Sequence, residues 1–123
     1  MSLKTRFGNL GNILNFDNLT EENIYVLDSP ILTNSQFNKF KKFFSKKIKV
    51  IDCTFDISLS LKDRIEAIRE ETETAVREGS TTLILSDKNI SNQKASIPSI
   101  LTVGAVHSHL VKQGLRGYCS LNI

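Results

Sequence analysis

The stretch EGSTTLILSD, Glu78 to Asp87, decides how the rest of the chain is read. Its first half ends one pattern, with Gly79 placed as a helix stop. Its second half, TTLILSD, is apolar without alternation and about one strand long. A strand with one wet face alternates apolar and polar residues, whereas an unbroken apolar run suits a strand buried on both faces of a parallel sheet. Parallel neighbours are joined by crossovers, most often helices. Helices are therefore expected before and after this run.

Both are legible. Upstream, Ser60 and Asp63 make a capping-box-like start, and Leu61, Ile65, Ile68, Thr72 and Ala75 keep helical spacing up to Gly79. Glu73 and Arg77 stand at a favourable i, i+4 separation. Before that helix, IKVIDCTF (Ile48 to Phe55) is β-branched and aromatic and reads as a strand. Further back, Thr33 and Gln36 fit a capping box, and Phe37, Phe40 and Phe44 form one stripe of a helix. IYVLDSP (Ile24 to Pro30) allows a short strand, since Pro30 disfavours helix at Ser29. Downstream, KNISNQKAS reads as a polar loop, and Ser96 as the cap of a helix with Pro98 in its first turn. That helix is expected to reach about Gln113 and stop at Gly114, and GYCSLNI opens a last strand. The order is β-α-β-α-β-α-β, an α/β fold with a mainly parallel sheet. Residues 1–23 read as an irregular lead-in, with 1–3 having the look of a cloning leader, and 24–123 as one α/β unit.

The composition bounds the function. With 123 residues, 40% hydrophobic and 24% charged, the chain has material for one soluble globular domain and not for a large multi-site enzyme. No apolar run approaches a membrane span, and the first twenty residues lack the apolar core of a secretory signal. The net charge of +3 comes largely from KFKKFFSKKIK (Lys39 to Lys49), which holds six lysines. Cys53 and Cys119 form no CxxC pair and read as reduced, buried thiols of a cytosolic type of compartment.

Three features invite a chemical reading. His107 and His109, both histidines of the chain, lie two apart on the last helix. Helical geometry turns them about 160° from one another, so they cannot chelate as an i, i+4 pair would. The apolar side of that helix, with Ile97, Ile100, Gly104 and Val111, takes His107 as a hydrogen-bonded core or interface histidine. His109 is expected on the polar side with Thr102, Lys112 and Gln113. Asp52 and Asp87 fall at the carboxyl ends of successive strands, where α/β sites are built, and a metal-binding arrangement is the alternative to simple turn caps. Turn caps are favoured, because neither GxGxxG nor GxxxxGK[ST] accompanies them. The lysine stretch, including Lys41 and Lys42, offers a nucleic-acid patch, but its phenylalanines follow core spacing and are not free to stack on bases. No serine, cysteine or lysine has an evident base beside it.

Four stretches together resemble the large chain of the glutamate synthase family. They are LDSPILTNSQFNKF (27–40), IDCTFDI (51–57), AVREGSTTLILSDKNI (75–90) and ASIPSILTVGAVHSHLVKQGLR (95–116), with RFGNLGNIL as a weaker match. The resemblance implies the first part of that enzyme's central domain, an α/β element similar to a degenerate (βα) barrel. It implies a holoenzyme that turns glutamine and 2-oxoglutarate into two glutamates, using FMN and an iron–sulfur cluster held by other segments. Partners would be the amidotransferase and FMN-binding synthase domains, with self-association through an open last strand; neither nucleic acid nor membrane is expected. The compartment would be the cytoplasm, or a plastid. Family members carry three consecutive histidines where this chain has His107, Ser108 and His109, and a VETG-type motif would follow the last strand. No catalytic, metal or cofactor residue of the family maps onto this sequence, so a non-catalytic scaffold is expected. Thr33 and Asn34, at a loop-to-helix junction, are the candidates for lining an ammonia path, with helix capping as the plainer role of Thr33.

Overall fold

A computed structural model describes residues 3–7, 24–45 and 47–123. Its centre is the strand picked out by the apolar run. Here β1 is Thr5–Phe7, β2 Tyr25–Leu27, β3 Ile48–Asp52, β4 Thr54–Asp56, β5 Thr82–Ser86, β6 Lys94–Ser96 and β7 Ser120–Asn122. The helices are α1 (Asn34–Phe43), α2 (Leu61–Arg77) and α3 (Ser99–Lys112), with a 3-10 turn at Arg116–Tyr118. Strand β5 pairs in parallel with β3 on one side and β7 on the other, placing Ile51 opposite Leu85 and Leu83 opposite Leu121. Residues Thr82 to Leu85 are all buried, which the unbroken run requires. The expected α/β class and parallel sheet are both present.

The two crossover helices begin and end where local chemistry directs. The Ser60 hydroxyl accepts from the Asp63 amide at the start of α2, and Gly79 leaves it with φ +97°. Gly114 ends α3 in the same way, with φ +69°. Both glycines occupy the left-handed region that L side chains resist. Helix α1 opens with the full capping box: the Gln36 amide donates to Thr33 Oγ1 (3.3 Å) and the Thr33 amide to Gln36 Oε1 (2.8 Å).

Two cores share the sheet. On one face Ile51, Leu83 and Leu85 pack with Ile68, Ala75 and Val76 of α2 and Val106 and Leu110 of α3. On the other, Phe40 and Phe44 of α1 pack on Ile84, with Phe7, Tyr25, Phe37 and Ile48 around them.

Three expectations are corrected. The strand expected in Ile24–Pro30 exists as β2, but it pairs antiparallel with β1 and stays out of the parallel sheet. Strand β1 itself falls within the stretch read as irregular, while residues 8–23 of that stretch, with Met1 and Ser2, lie outside the described residues. The strand expected over Ile48–Phe55 divides at Cys53. The Cys53 amide still donates to Ser86 in the parallel sheet (2.8 Å), but its carbonyl accepts from Ile97 (2.9 Å), and the chain turns into a β4–β6 antiparallel ribbon. Ser96 therefore sits in β6 and does not cap α3; Pro98 holds the cap position, and its carbonyl accepts from Leu101 and Thr102.

Candidate functional site

The carboxyl edge of the parallel sheet collects most of the polar side chains that could do chemistry. Asp52 stands at the end of β3, Asp87 follows β5, and the β4–β6 ribbon folds over both. Asp52 Oδ1 accepts from the amide (3.0 Å) and hydroxyl (2.8 Å) of Thr54, and Oδ2 accepts from Asn89 Nδ2 (3.0 Å). Partial burial raises its pKa, but the hydrogen bonds from Asn89 and Thr54 outweigh that and hold the carboxyl below the usual carboxylate range. The group is thus an ionised acceptor whose lone pairs staple the end of β3 to the loop after β5. Asp87 accepts from the Ser96 hydroxyl at 3.1 Å, tying β5 to β6.

Arg64 completes this edge from the first turns of α2. Its Nε donates to the Thr54 carbonyl (3.1 Å) and its Nη2 to the Asp52 carbonyl (2.5 Å), so one guanidinium straddles Cys53, where the parallel strand becomes a ribbon. Beside it lies a cavity of about 260 Å³ lined by Cys53, Leu85, Asp87, Ile97, Ser99, Thr102 and Ile123. Burial, with the nearby Asp52 charge adding, pushes the Cys53 thiol up to about 11 and so disfavours its thiolate there. Burial raises the Cys119 thiol as well. Among the described residues, no three His, Cys, Asp or Glu side chains converge as metal ligands would.

The two histidines change places relative to the sequence reading. His107 is exposed, and its Nδ1 accepts from Arg116 Nε at 3.1 Å. His109 is the half-buried one, its Nε2 lying 2.7 Å from Glu73 Oε2 on α2. Thr102, assigned to the polar side, is fully buried, because its hydroxyl donates to the Pro98 carbonyl (3.3 Å) and carries no unmet hydrogen bond into the core. Ile100, assigned to the core side, is 84% exposed.

At α1, Phe40 and Phe44 are buried as their spacing requires, and Lys41 Nζ rests 5.0 Å from the centre of the Phe37 ring. Thr33 and Asn34 are exposed at the start of this helix, remote in sequence from the Asp52–Asp87 edge, and the Thr33 hydroxyl is engaged with Gln36 and Ser35. The structure brings Asp52, Asp87 and Cys53 to one edge and leaves Thr33 and Asn34 at α1. Sequence reasoning missed Arg64 and Asn89; it paired Glu73 with Arg77, which the structure shows (2.8 Å), but missed that Glu73 also meets His109. Asn89 and Asp52 are 37 residues apart, as His109 and Glu73 are 36 apart, and no local spacing announces such pairs.

Comparison with known proteins bears directly on this arrangement. The chain matches, over residues 1–123, the family model described as the glutamate synthase central domain. It is 44% identical over 126 aligned residues to the large chain of an NADPH glutamate synthase of Azospirillum brasilense, covering 100% of this chain and 8% of that one. It is 34% identical to the chloroplastic ferredoxin-dependent glutamate synthase of Spinacia oleracea, covering 98% of this chain and 8% of that one. With the NADH glutamate synthase of Schizosaccharomyces pombe the identity is 35%, over 98% of this chain and 6% of that one. The chain thus spans less than a tenth of the length of each of these relatives.

Proposed function

Because the chain belongs to the glutamate synthase central-domain family, we propose that it is a scaffold segment of a glutamate synthase large chain and carries no catalytic group of its own. The parent enzyme would move the amide nitrogen of glutamine to 2-oxoglutarate with reduction, yielding two glutamates. This segment would hold the ammonia-producing and ammonia-consuming sites in register, with the amidotransferase and synthase domains as its partners. The cytoplasm or a plastid is its compartment in this reading; among the described residues no helix is long and apolar enough to cross a membrane.

One observation carries the proposal. The side chains that could do chemistry at the carboxyl edge are spent on the chain's own architecture: Asp52 on Thr54 and Asn89, Asp87 on Ser96, and Arg64 on two backbone carbonyls. Nor does this edge suit the cofactors of the parent enzyme. An iron–sulfur cluster needs accessible thiolates, and the two cysteines are buried with raised pKa values. At this edge the cavity of about 260 Å³ falls below the roughly 300–1,000 Å³ of sites for drug-sized ligands. In this reading FMN and the cluster are held by other parts of the large chain.

Within this reading Thr33 and Asn34 are the candidates for lining an ammonia path, Asn34 the better of the two because the Thr33 hydroxyl is committed to the cap. The test uses the full-length enzyme. Asp52→Asn and Asp87→Asn should leave glutamine hydrolysis and glutamate formation within about twofold, since neither group would touch a reacting atom. Loss of either activity by orders of magnitude in a folded variant overturns the scaffold assignment. Asn34→Leu should lower the glutamate formed per glutamine hydrolysed while hydrolysis persists; an unchanged ratio removes the path-lining role.

A further inference from the structure

The side of the molecule built on α1 carries positive charge that the described residues do not neutralise. Between Asp28 and Asp52 the sequence holds six lysines and no Asp, Glu or Arg, and these six exceed the whole net charge of +3. Lys39, Lys42 and Phe43 are all exposed, and they fall within a sector of about 100° on the side of α1 turned from Phe37 and Phe44. Lys47 and Lys49, before and within β3, are exposed too. Among the described residues none of Lys39, Lys42, Lys47 and Lys49 forms an ion pair. The arginines of α2 differ: Arg69 meets Glu66, Arg77 meets Glu73, and Arg64 holds two carbonyls. The dipole at the end of α1 accounts for Lys41 and Lys42 in its last turn, but not for Lys39, Lys47 or Lys49.

Phe43 supplies an independent sign. Its neighbours Phe40 and Phe44 are buried, whereas Phe43 is 49% exposed. The ring is nonetheless held, with its centroid 5.2 Å from that of Tyr25 and 4.9 Å from that of Phe44. Val50, two residues beyond Ile48 in β3, falls on the same side of the sheet as this cluster and is 47% exposed. A ring already fixed loses little freedom when a partner covers it, and an apolar centre with a charged rim is the anatomy of a protein docking patch.

We propose that the Lys39–Lys42–Phe43 face docks an acidic segment of a separate protein, which lays an apolar side chain on Phe43 and carboxylates beside Lys39 and Lys42. Charge complementarity names the chemistry of this partner. A second copy of the chain, paired about a two-fold axis, would bring the same lysines against themselves and be repelled. Nucleic acid is the poorer fit, because no arginine stands in this stretch to grip a phosphate or a base edge in a fork, and one exposed ring is no stacking series. Two half-exposed apolar residues among lysines suit steered, reversible association and not a permanently buried contact. The proposal goes beyond the scaffold reading, which concerns the domains of the parent chain.

The test follows, by fluorescence anisotropy, the binding of a labelled glutamate-rich peptide with one central tryptophan to the full-length polypeptide. The expected result is saturable binding that weakens steeply as salt rises from roughly 50 to 300 mM. Lys39→Glu combined with Lys42→Glu should weaken it by about tenfold. Phe43→Ser should weaken it by a smaller factor, and Lys112→Glu, at an exposed site on α3, should leave it unchanged. Exchanging the peptide's tryptophan for serine should weaken binding to the parent protein but not to the Phe43→Ser variant. Circular dichroism checks that each variant is folded, and the exposed lysine pair keeps the test decisive if Phe43→Ser is not. No saturable binding at the lowest salt overturns the proposal. An equal loss from Lys112→Glu, a tryptophan effect that survives in folded Phe43→Ser, or tighter binding of a DNA duplex or of phosphatidylserine vesicles overturns it as well. The glutamate-forming activity of the same preparations reads the parent assignment separately.

Discussion

The two faces of the β3-β5-β7 sheet are closed by different means. The α2/α3 face is aliphatic, with Ile51, Leu83, Val106 and Leu110 at or near zero exposure beneath two long helices. The α1 face is aromatic and thinner. Phe7, Tyr25, Phe40, Phe43 and Phe44 meet mostly edge-on or tilted, with centroid separations of 4.9 to 6.5 Å, and Val50 beside them is 47% exposed. Aliphatic interiors gain stability from close packing, and each loss of volume is felt. Aromatic clusters add ring-edge contacts and tolerate a partly open rim. The first face can therefore act as the rigid part of the unit, and the second as the part whose stability depends on a single ten-residue helix and a short ribbon.

That contrast can be broken most decisively at Leu110. Leu110→Ala should cost about 4 kcal/mol, because the site is fully enclosed and cannot collapse. Chemical denaturation of the 123-residue chain measures it. Phe40→Leu on the other face should cost roughly 1.5 kcal/mol, the loss of the ring-edge contacts to Phe7, Tyr25 and Phe44. A reversed order of the two variants would end the distinction. A smaller change sharpens it: Thr33→Ala removes the capping box of α1 and should cost about 1 kcal/mol. Amide exchange should then rise in α1 and not in α2 or α3.

The smallest expected effect is confined to acid. The Asp52 carboxyl titrates lower in the folded chain than in the unfolded one, so its ionised form favours folding at neutral pH. That contribution is complete above the unfolded value of about 3.9 and is lost as pH falls through the lower folded value. Asp52→Asn should flatten the acid limb of the stability profile below about pH 4. An acid limb identical to that of the parent chain would show that the hydrogen bonds from Thr54 and Asn89 do not select the charged form.

Much of this fold is legible along the chain, and the failures have physical causes. Strand β5, the capped start of α1 and the limits of α2 are each announced by a pattern within one element: an unbroken apolar run, Thr33 with Gln36, and Ser60 to Gly79. The β1–β2 and β4–β6 ribbons are three-residue pairings whose partners lie 18 to 42 residues apart, and nothing in NQKAS alone distinguishes strand from loop. The reversed histidines have another origin. Helix α3 carries two apolar sides, one packed and one exposed among the described residues, and periodicity cannot tell which is which. Hydropathy selected the Ile100–Val111 side, while Thr102 and Ala105 took the interior. At the carboxyl edge, Asp52 and Asp87 were found by their position after strands, whereas Arg64 and Asn89 depend on contacts that only the folded chain creates.

Arg64 has a consequence for the order in which the molecule opens. Its guanidinium binds the carbonyls on both sides of Cys53 from the second turn of α2. Fraying of that helix end must release the strand break, and slippage at the break must loosen the helix end. The two segments, about ten residues apart in sequence, are therefore expected to open together, with similar protection in hydrogen exchange. Lysine would have to bring one ammonium nitrogen within reach of both carbonyls, whereas the planar guanidinium presents two separate nitrogens already spaced for them. Arginine at this position thus ties the beginning of a helix to the end of a strand.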